Sequence, residues 1–336
     1  MLRHFVRRLL ASAATLVVIT CVMYTVIRSL PGEPFAGDED QGGTARGEAF
    51  PGSAHTGEPL PIGYAMWLAD VARLDLGHSL SVQPGRPVAS MLAEAIPYTL
   101  ALGAFSLTLT LGLAIPLGVL SAWRPESLAS RGGGWILYGL HALPAFWIAL
   151  ALQQLVAGTW RMLPPFGAGP LVGSEAGAPG MMERLPYWIL PTLAVSLGSL
   201  AFVIRFCRAG LLEQTATEVV RAARARGAGQ ARVLWIHALA GCAVPLVSLL
   251  GLMLPGVVSG GVLVESIFAL PGVGRLFFTA ASRRDYPVVM AVSLLTGVAT
   301  LGANLLADTL YGVVDPAMRR QPAPGGPPTP RDGEMA

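Results

Sequence analysis

A chain of 336 residues with 53% hydrophobic and only 13% charged residues, at a mean hydropathy of +0.57, is not composed like a soluble domain, which carries about 25% charge. Its formal net charge of +3 is small and scattered, and that argues against nucleic acid as a partner. All 23 basic residues are Arg, so the lysine of a phosphate-binding P-loop is missing and hydrolysis of ATP by that route is excluded. Apolar runs near 20 residues recur, about what a helix needs to cross roughly 30 Å of hydrocarbon, and the expected class is an all-α polytopic membrane protein.

The first element is an apolar run over about Leu9–Leu30 behind Arg3, Arg7 and Arg8. It is longer than a signal-peptide core and lacks a small-x-small cleavage site, so it reads as an uncleaved first span. The basic flank puts its start on the cytoplasmic side. A long polar region follows. Up to about Pro61 it is Gly-rich, with Asp38, Glu39, Asp40, Glu48 and Glu58, and reads as flexible. Ile62–Leu68 is amphipathic, and Leu74–Leu80 (LDLGHSL) and Gly85–Val88 (GRPV) follow.

Pro97–Trp123 is the second span. Its Thr99, Ser106, Thr108 and Thr110 suit back-bonding or a neighbouring helix. Trp135–Val156 is the third, with His141, Pro144 and Gln153 inside it. Pro144 is expected to kink the helix and free a carbonyl. Gln153 and Gln154 either line a path for a polar solute or sit at the interface. After a Gly/Pro-rich loop, Tyr187 to about Phe206 is the fourth span, ended by Arg205 and Arg208.

The stretch from Glu213 to Pro245 is the most charged interruption. Glu213, Glu218, Arg221, Arg224, Arg226 and Arg232 fall here, and each would cost about 2.5–3.5 kcal/mol at a bilayer centre. Ala216, Val219, Val220, Ala222 and Ala223 lie at helical spacing. Gly227 and Gly229 offer positive-φ positions for a turn. A short helix, a glycine turn and a return from about Gln230 are expected, forming a knob on one face of the membrane. The fifth span runs from about Gly241 to Val264. Glu265–Pro287 is too short and polar to span, and reads as an interfacial segment or a lid. Val288–Val314 is the sixth span, with Asn304 and Asp308 toward its end. The acid reads as interfacial or as the partner of an Arg, with an ion site as the other reading. The tail from Gln321 is Pro/Gly-rich and expected to be disordered. Cys21, Cys207 and Cys242 show no metal or redox spacing and read as small packing residues.

Several of these stretches together resemble permease subunits of ABC importers, in the dipeptide/oligopeptide branch. The knob is similar to that family's "EAA" loop. Ala222, Ala223 and Gly227 match its pattern, with Arg221 where the pattern has Glu, and VLWIHAL over Val233–Leu239 and Pro245 follow. The other matching segments are the opening MLR with RSLPGEP, LDLGHSL, Pro144–Trp147 (PAFW), Trp160–Gly167, Val264–Arg275 and Arg283–Pro287. Residues 36–58 depart from the pattern: a helical segment in relatives is replaced by the Gly-rich acidic stretch.

The resemblance implies six transmembrane helices, a large extracytoplasmic loop after the first and a cytoplasmic coupling-helix loop between the fourth and fifth. It divides the chain into a basic flank and first helix (1–30), the extracytoplasmic loop (31–95), a five-helix permease domain (96–315, coupling loop about 208–240) and a cytoplasmic tail (316–336). Glu218, Arg221, Ala222, Ala223, Arg224, Arg226 and Gly227 become candidates for docking to an ATPase. Gln153, Pro144, Glu265, Pro271, Gly272 and Asp285 become candidates for pathway or gating. The implied partners are a second permease forming a heterodimer, two ATPase subunits that use the ATP, an extracytoplasmic solute-binding protein and the bilayer. No cofactor, metal or catalytic residue is expected in the chain itself. The implied location is the bacterial inner membrane with both termini cytoplasmic. Arg3, Arg7, Arg8, Arg124, Arg131, Arg205, Arg208, Arg221, Arg224, Arg226, Arg232, Arg319, Arg320 and Arg331 then fall inside, against Arg161, Arg184, Arg275, Arg283 and Arg284 in the shorter outer loops, as the positive-inside rule requires. Two other readings stand beside it. An ion-coupled transporter would need buried mid-span acids, and Asp308 is its only candidate. A membrane enzyme would use His141 and Asp308, but no HExxH or nucleophile elbow accompanies them.

Overall fold

The computed structural model describes residues 2–29, 59–167, 169, 181–259 and 261–314. The acidic Gly-rich stretch, the tail and the side chain of Asp308 lie outside what is described, and so do the expectations placed on them. Among the described residues the regular elements are helices, and the one bridge pairing is His78 with Pro87. In chain order they are α1 (Leu2–Ser29), α2 (Leu60–Ala72), α3 (Val88–Trp123), α4 (Leu128–Ala142), α5 (Ala145–Leu152), α6 (Met181–Gln214), α7 (Glu218–Ala225), α8 (Gln230–Arg232), α9 (Leu239–Gly241), α10 (Ala243–Ser259), α11 (Val262–Ile267), α12 (Val273–Ser282) and α13 (Tyr286–Val314). Two wider π-helical stretches join them, Gln153–Thr159 after α5 and Val233–Ala238 between α8 and α9.

Leu10–Ser29, Val88–Trp123, Glu183–Gln214 and Tyr286–Ala307 are each long and apolar enough to cross a membrane. Among the described residues two bent pairs raise the number to as many as six: Gly132–Ala142 with Ala145–Thr159, at 101°, and Gln230–Gly241 with Ala243–Val257, at 59°. The expected third span is therefore not a kinked rod but two helices meeting at a corner. Leu143, before Pro144, takes an extended ψ of 133°, because a following proline ring disfavours the helical conformation. Pro144 then serves as the residue that caps α5.

Two further boundaries differ from the sequence reading. α3 begins at Val88, ahead of Pro97 and of the boundary drawn at residues 95/96, because Val88, Met91, Leu92 and Ala95 form a buried helical stripe. The fifth apolar run does not continue to Val264. α10 ends at Ser259 and α11 starts at Val262, after Gly261 at a non-helical φ of −93° and ψ of 77°, as suits a residue of low helix propensity.

α3 and α6 pack along one another and carry the centre of the protein. Their contact is stitched by hydroxyls. Ser196 Oγ donates to Thr192 O (2.7 Å) and to Ser106 O (3.1 Å), and Thr110 Oγ1 and Ser199 Oγ lie 3.4 Å apart. Between apolar helices, which gain nothing by leaving lipid for each other, such bonds and close packing hold the pair. Of the polar residues read on this span, Thr99, Ser106 and Thr110 are buried and Thr108 is exposed. Cys207 and Cys242 are packing residues, buried with Val119, Leu211, Leu234 and Ala238, whereas Cys21 is exposed on α1. A separate cluster joins α1, α2, the start of α3, α12 and α13 through Tyr24, Ile27, Trp67, Val88, Met91, Val273 and Tyr286. That cluster is what positions the polar corner described next.

Candidate functional site

Two places gather the residues of interest. The first is the knob between α6 and α10. Val220 and Ala223 are buried, and α7 rests on the Val233–Ala238 stretch. Glu218, Val219, Arg221, Ala222, Arg224 and Arg226 are exposed. Of the two alanines among the docking candidates, only Ala222 is therefore on the outward surface; Ala223 is buried inside the chain. Glu218 lies in the first turn, where the helix dipole favours an acid, and pairs with Arg221 at 3.0 Å. Both side chains are mostly exposed, so the pair contributes little to stability. Gly227, at φ +84°, ends the helix. Its N–H bonds Arg224 O (2.9 Å) and the Ala228 N–H bonds Ala223 O (3.1 Å), the paired closure that a left-handed residue permits. Gly229, read as a second positive-φ position, is extended at φ −68° and precedes α8.

The second place is a corner where two buried carboxylates hold distant segments. Glu265, within the short helix α11, is 1% exposed. Its Oε1 accepts from Thr99 Oγ1 of α3 (2.9 Å), and its Oε2 accepts from the Arg275 N–H of α12 (3.1 Å). Thr99 Oγ1 in turn accepts from the Val273 N–H (2.8 Å). Two orphan donors at the start of α12, the N–H groups of Val273 and Arg275, are thus satisfied by a hydroxyl and a carboxylate from other helices, and the helix dipole favours the charge there. Gly272 is forced by this packing. A Cβ there would lie 2.7 Å from Thr99 Oγ1 and 2.5 Å from Glu265 Cδ. Gly272→Ala is expected to part Glu265 from Thr99 and to cost about 1–3 kcal/mol, read as a lower melting temperature of the purified protein. Pro271 stands exposed beside it.

Asp285, between α12 and α13, is fully buried. Its Oδ2 accepts from Ser79 Oγ (2.5 Å) and from the N–H groups of Leu80 (3.1 Å), Ser81 (3.0 Å) and Val82 (2.9 Å). Successive backbone donors converging on one anion make a nest. Ser79 Oγ also accepts from the Gln83 N–H (2.9 Å), which closes the turn on itself. Ser81 Oγ adds a bond to Arg283 O (2.8 Å). The segment between α2 and α3 is therefore fastened to the α12–α13 corner by a residue 206 positions away.

The remaining candidates fall elsewhere. Gln153, opening the π stretch, donates both amide hydrogens, to Pro165 O (3.0 Å) and to Ile267 O (3.1 Å). It ties the loop after α5 to the end of α11. Pro144 lies at the α4–α5 corner, and His141 Nδ1 sits 3.2 Å from Gly198 O, as expected of a structural histidine. Sequence reasoning did not select Thr99 or Ser79 as site residues. Their signal was present, in a hydroxyl on an apolar helix and in the LDLGHSL segment, but their partners lie far along the chain.

With this geometry in hand, the family model for "Binding-protein-dependent transport system inner membrane component" matches residues 114–320. The chain belongs to that family. It is similar to the oligopeptide transport system permease protein AppB of Bacillus subtilis, with 33% identity over 317 residues, covering 94% of this chain and 99% of AppB. It is also similar to the dipeptide transport system permease protein DppB of Escherichia coli, with 30% identity over 342 residues, covering 96% and 100%. The methionine ABC transporter MetNI, in inward-facing conformations, aligns with 66% of this chain and 97% of its own at a TM-score of 0.49 and 16% identity. As a binding-protein-dependent transport component, the chain is a permease subunit of an ABC importer, a multi-pass membrane protein without catalysis of its own. ATP is hydrolysed in partner subunits, and a substrate-binding protein belongs to the system. The matched residues include the knob, both buried carboxylates and α13.

Proposed function

We propose that this permease, paired with a second and different permease chain, forms the path for a di- or oligopeptide in a bacterial inner membrane. The relatives named for dipeptide and oligopeptide transport, matched over nearly their whole length, support that solute class. In this reading both termini are cytoplasmic, the segment after α1 faces outward to the binding protein, and α7 is the coupling helix between the fourth and fifth spans. The chain binds no cofactor; its outward-facing Arg221, Ala222, Arg224 and Arg226 meet the ATPase. The observation that carries the reading is the build of the knob. A two-turn helix is pinned from beneath by Val220 and Ala223 and closed by Gly227, and it holds its charged face clear of its own chain. A rigid handle of this kind passes a displacement of the ATPase to α6 and α10, provided its contacts differ between the two ATPase states.

In cells carrying the full transporter, uptake of a radiolabelled peptide is expected to collapse on ATP depletion and to survive a proton uncoupler while ATP is maintained. Loss with the uncoupler alone would instead support an ion-coupled mechanism and sink the proposal.

A further inference from the structure

The helix α2 belongs to neither place described above. It carries one charged residue, Asp70, in Leu60–Ala72, yet it lies in the segment that sequence reading assigns to water. One side of it is anchored. Trp67 is buried against Tyr24 of α1, with ring centroids 6.3 Å apart, and Tyr64 stacks on Trp67 at 5.9 Å. The Tyr64 hydroxyl reaches along α1, bonding Val17 O (3.0 Å) and lying 2.8 Å from Thr20 Oγ1.

Those two contacts set the depth of α2. Leu10–Ser29 is an apolar span of 20 residues. At a rise of 1.5 Å per residue, Thr20 lies about 14 Å and Val17 about 18 Å inward of Ser29, roughly half of a 30 Å hydrocarbon layer. A tyrosine side chain covers only part of that distance, so the first turns of α2 sit below the level at which α1 leaves the membrane. The other side of α2 is exposed and apolar: Leu60 and Ile62 are each 45% exposed and Met66 is 38% exposed. α1 likewise leaves apolar residues exposed at Val18, Ile19, Val22 and Val26.

We propose that α2 is embedded in the leaflet on the Ser29 side of α1, with Leu60, Ile62 and Met66 against acyl chains. α2 is apolar on its exposed side as well as its anchored one, with Asp70 its one charge, and such a helix gains in proportion to the apolar area it removes from water into acyl chains. The segment that follows, Leu74–Val88, is then held from two sides, by α2 in the lipid and by the Asp285 nest in the protein. Asp70, one turn beyond Met66, lies toward the end of α2 where the chain leaves the leaflet for the polar turn at Asp75–Gly77.

The test uses the assembled transporter in nanodiscs of phosphatidylethanolamine and phosphatidylglycerol. Single variants I62C, M66C and Q83C are built on a Cys21→Ser background, in which Cys207 and Cys242 remain buried; Gln83 is exposed on the polar turn. The I62C and M66C thiols are expected to react at least about tenfold more slowly than Q83C with a membrane-impermeant maleimide. A bimane attached at either is expected to be quenched by lipids carrying a nitroxide high on the acyl chain, and one attached at Q83C is not. Reaction as fast as Q83C would place this face in water and overturn the proposal. Protection from both the maleimide and the nitroxide lipid would overturn it too, because the face would then be covered by protein, either residues 30–58 or a partner subunit.

Discussion

Ala222→Trp is expected to leave the permease in the membrane at its normal level while peptide uptake falls at least tenfold, toward background. Ala222 is on the outward side of α7, so an indole there meets no neighbour within the chain but blocks the close approach of whatever docks. Coupling depends on a difference in contact free energy between two ATPase states, and a loss of about 1.4 kcal/mol in that difference is already tenfold. ATPase activity of the assembled complex should persist but no longer respond to loaded binding protein. Ala223→Trp gives the contrasting result. That residue is 2% exposed, so the bulky ring displaces α7 from the Val233–Ala238 stretch, and the expected outcome is reduced abundance rather than clean uncoupling. Immunoblots of membranes beside uptake assays separate the two. Normal uptake by the Ala222 variant would count decisively against docking at this face.

Asp285→Ala is expected to destabilise the protein by about 3–5 kcal/mol, the range for breaking a buried charge-assisted network. The carboxylate is the common acceptor of Ser79 Oγ and of three successive N–H groups. Its removal leaves the buried Ser79 hydroxyl and the three half-buried N–H groups without their acceptor, and unsatisfied donors that water does not reach carry their full desolvation cost. It also removes the acid at the start of the 29-residue α13, where the helix dipole favours a negative charge. The melting temperature in detergent should fall by several degrees, and the turn over residues 77–88 should become a site of early proteolysis. Ser79→Ala deletes a single donor and should cost about 1–2 kcal/mol. Asp285→Asn keeps an oxygen for the nest and should fall between the two. Wild-type melting of Asp285→Ala would show that the nest contributes nothing to holding this segment.

Local features were legible from residue pattern. Apolar run length announced the spans, and Ala-rich helical spacing followed by Gly227 announced the knob, because propensity and the positive-φ preference of glycine act within a few residues. Pro144 announced an interruption but not its size. Steric exclusion of the helical conformation at Leu143 requires a break, whereas the 101° angle depends on how α5 packs against α6 and α11. Gln153 stands out as a polar group in an apolar run, and Glu265 and Asp285 lie in matching motifs, but neither signal says what a residue touches. Gln153 is spent on two carbonyls, Glu265 on α3 and α12, and Asp285 on the turn after α2.

Sequence alone determined that the protein is helical, lies in a membrane, lacks the lysine of a P-loop and presents a charged knob, because each of these follows from transfer free energies and short-range conformational preference summed along the chain. Tertiary structure alone decided that Ser79 closes on Asp285, that Thr99 and Glu265 cap α12, that Ala223 turns inward while Ala222 turns out, and that Tyr64 reaches the middle of α1. Those pairings join residues up to 206 positions apart, and only packing chooses among the many hydroxyls, acids and alanines that could have met.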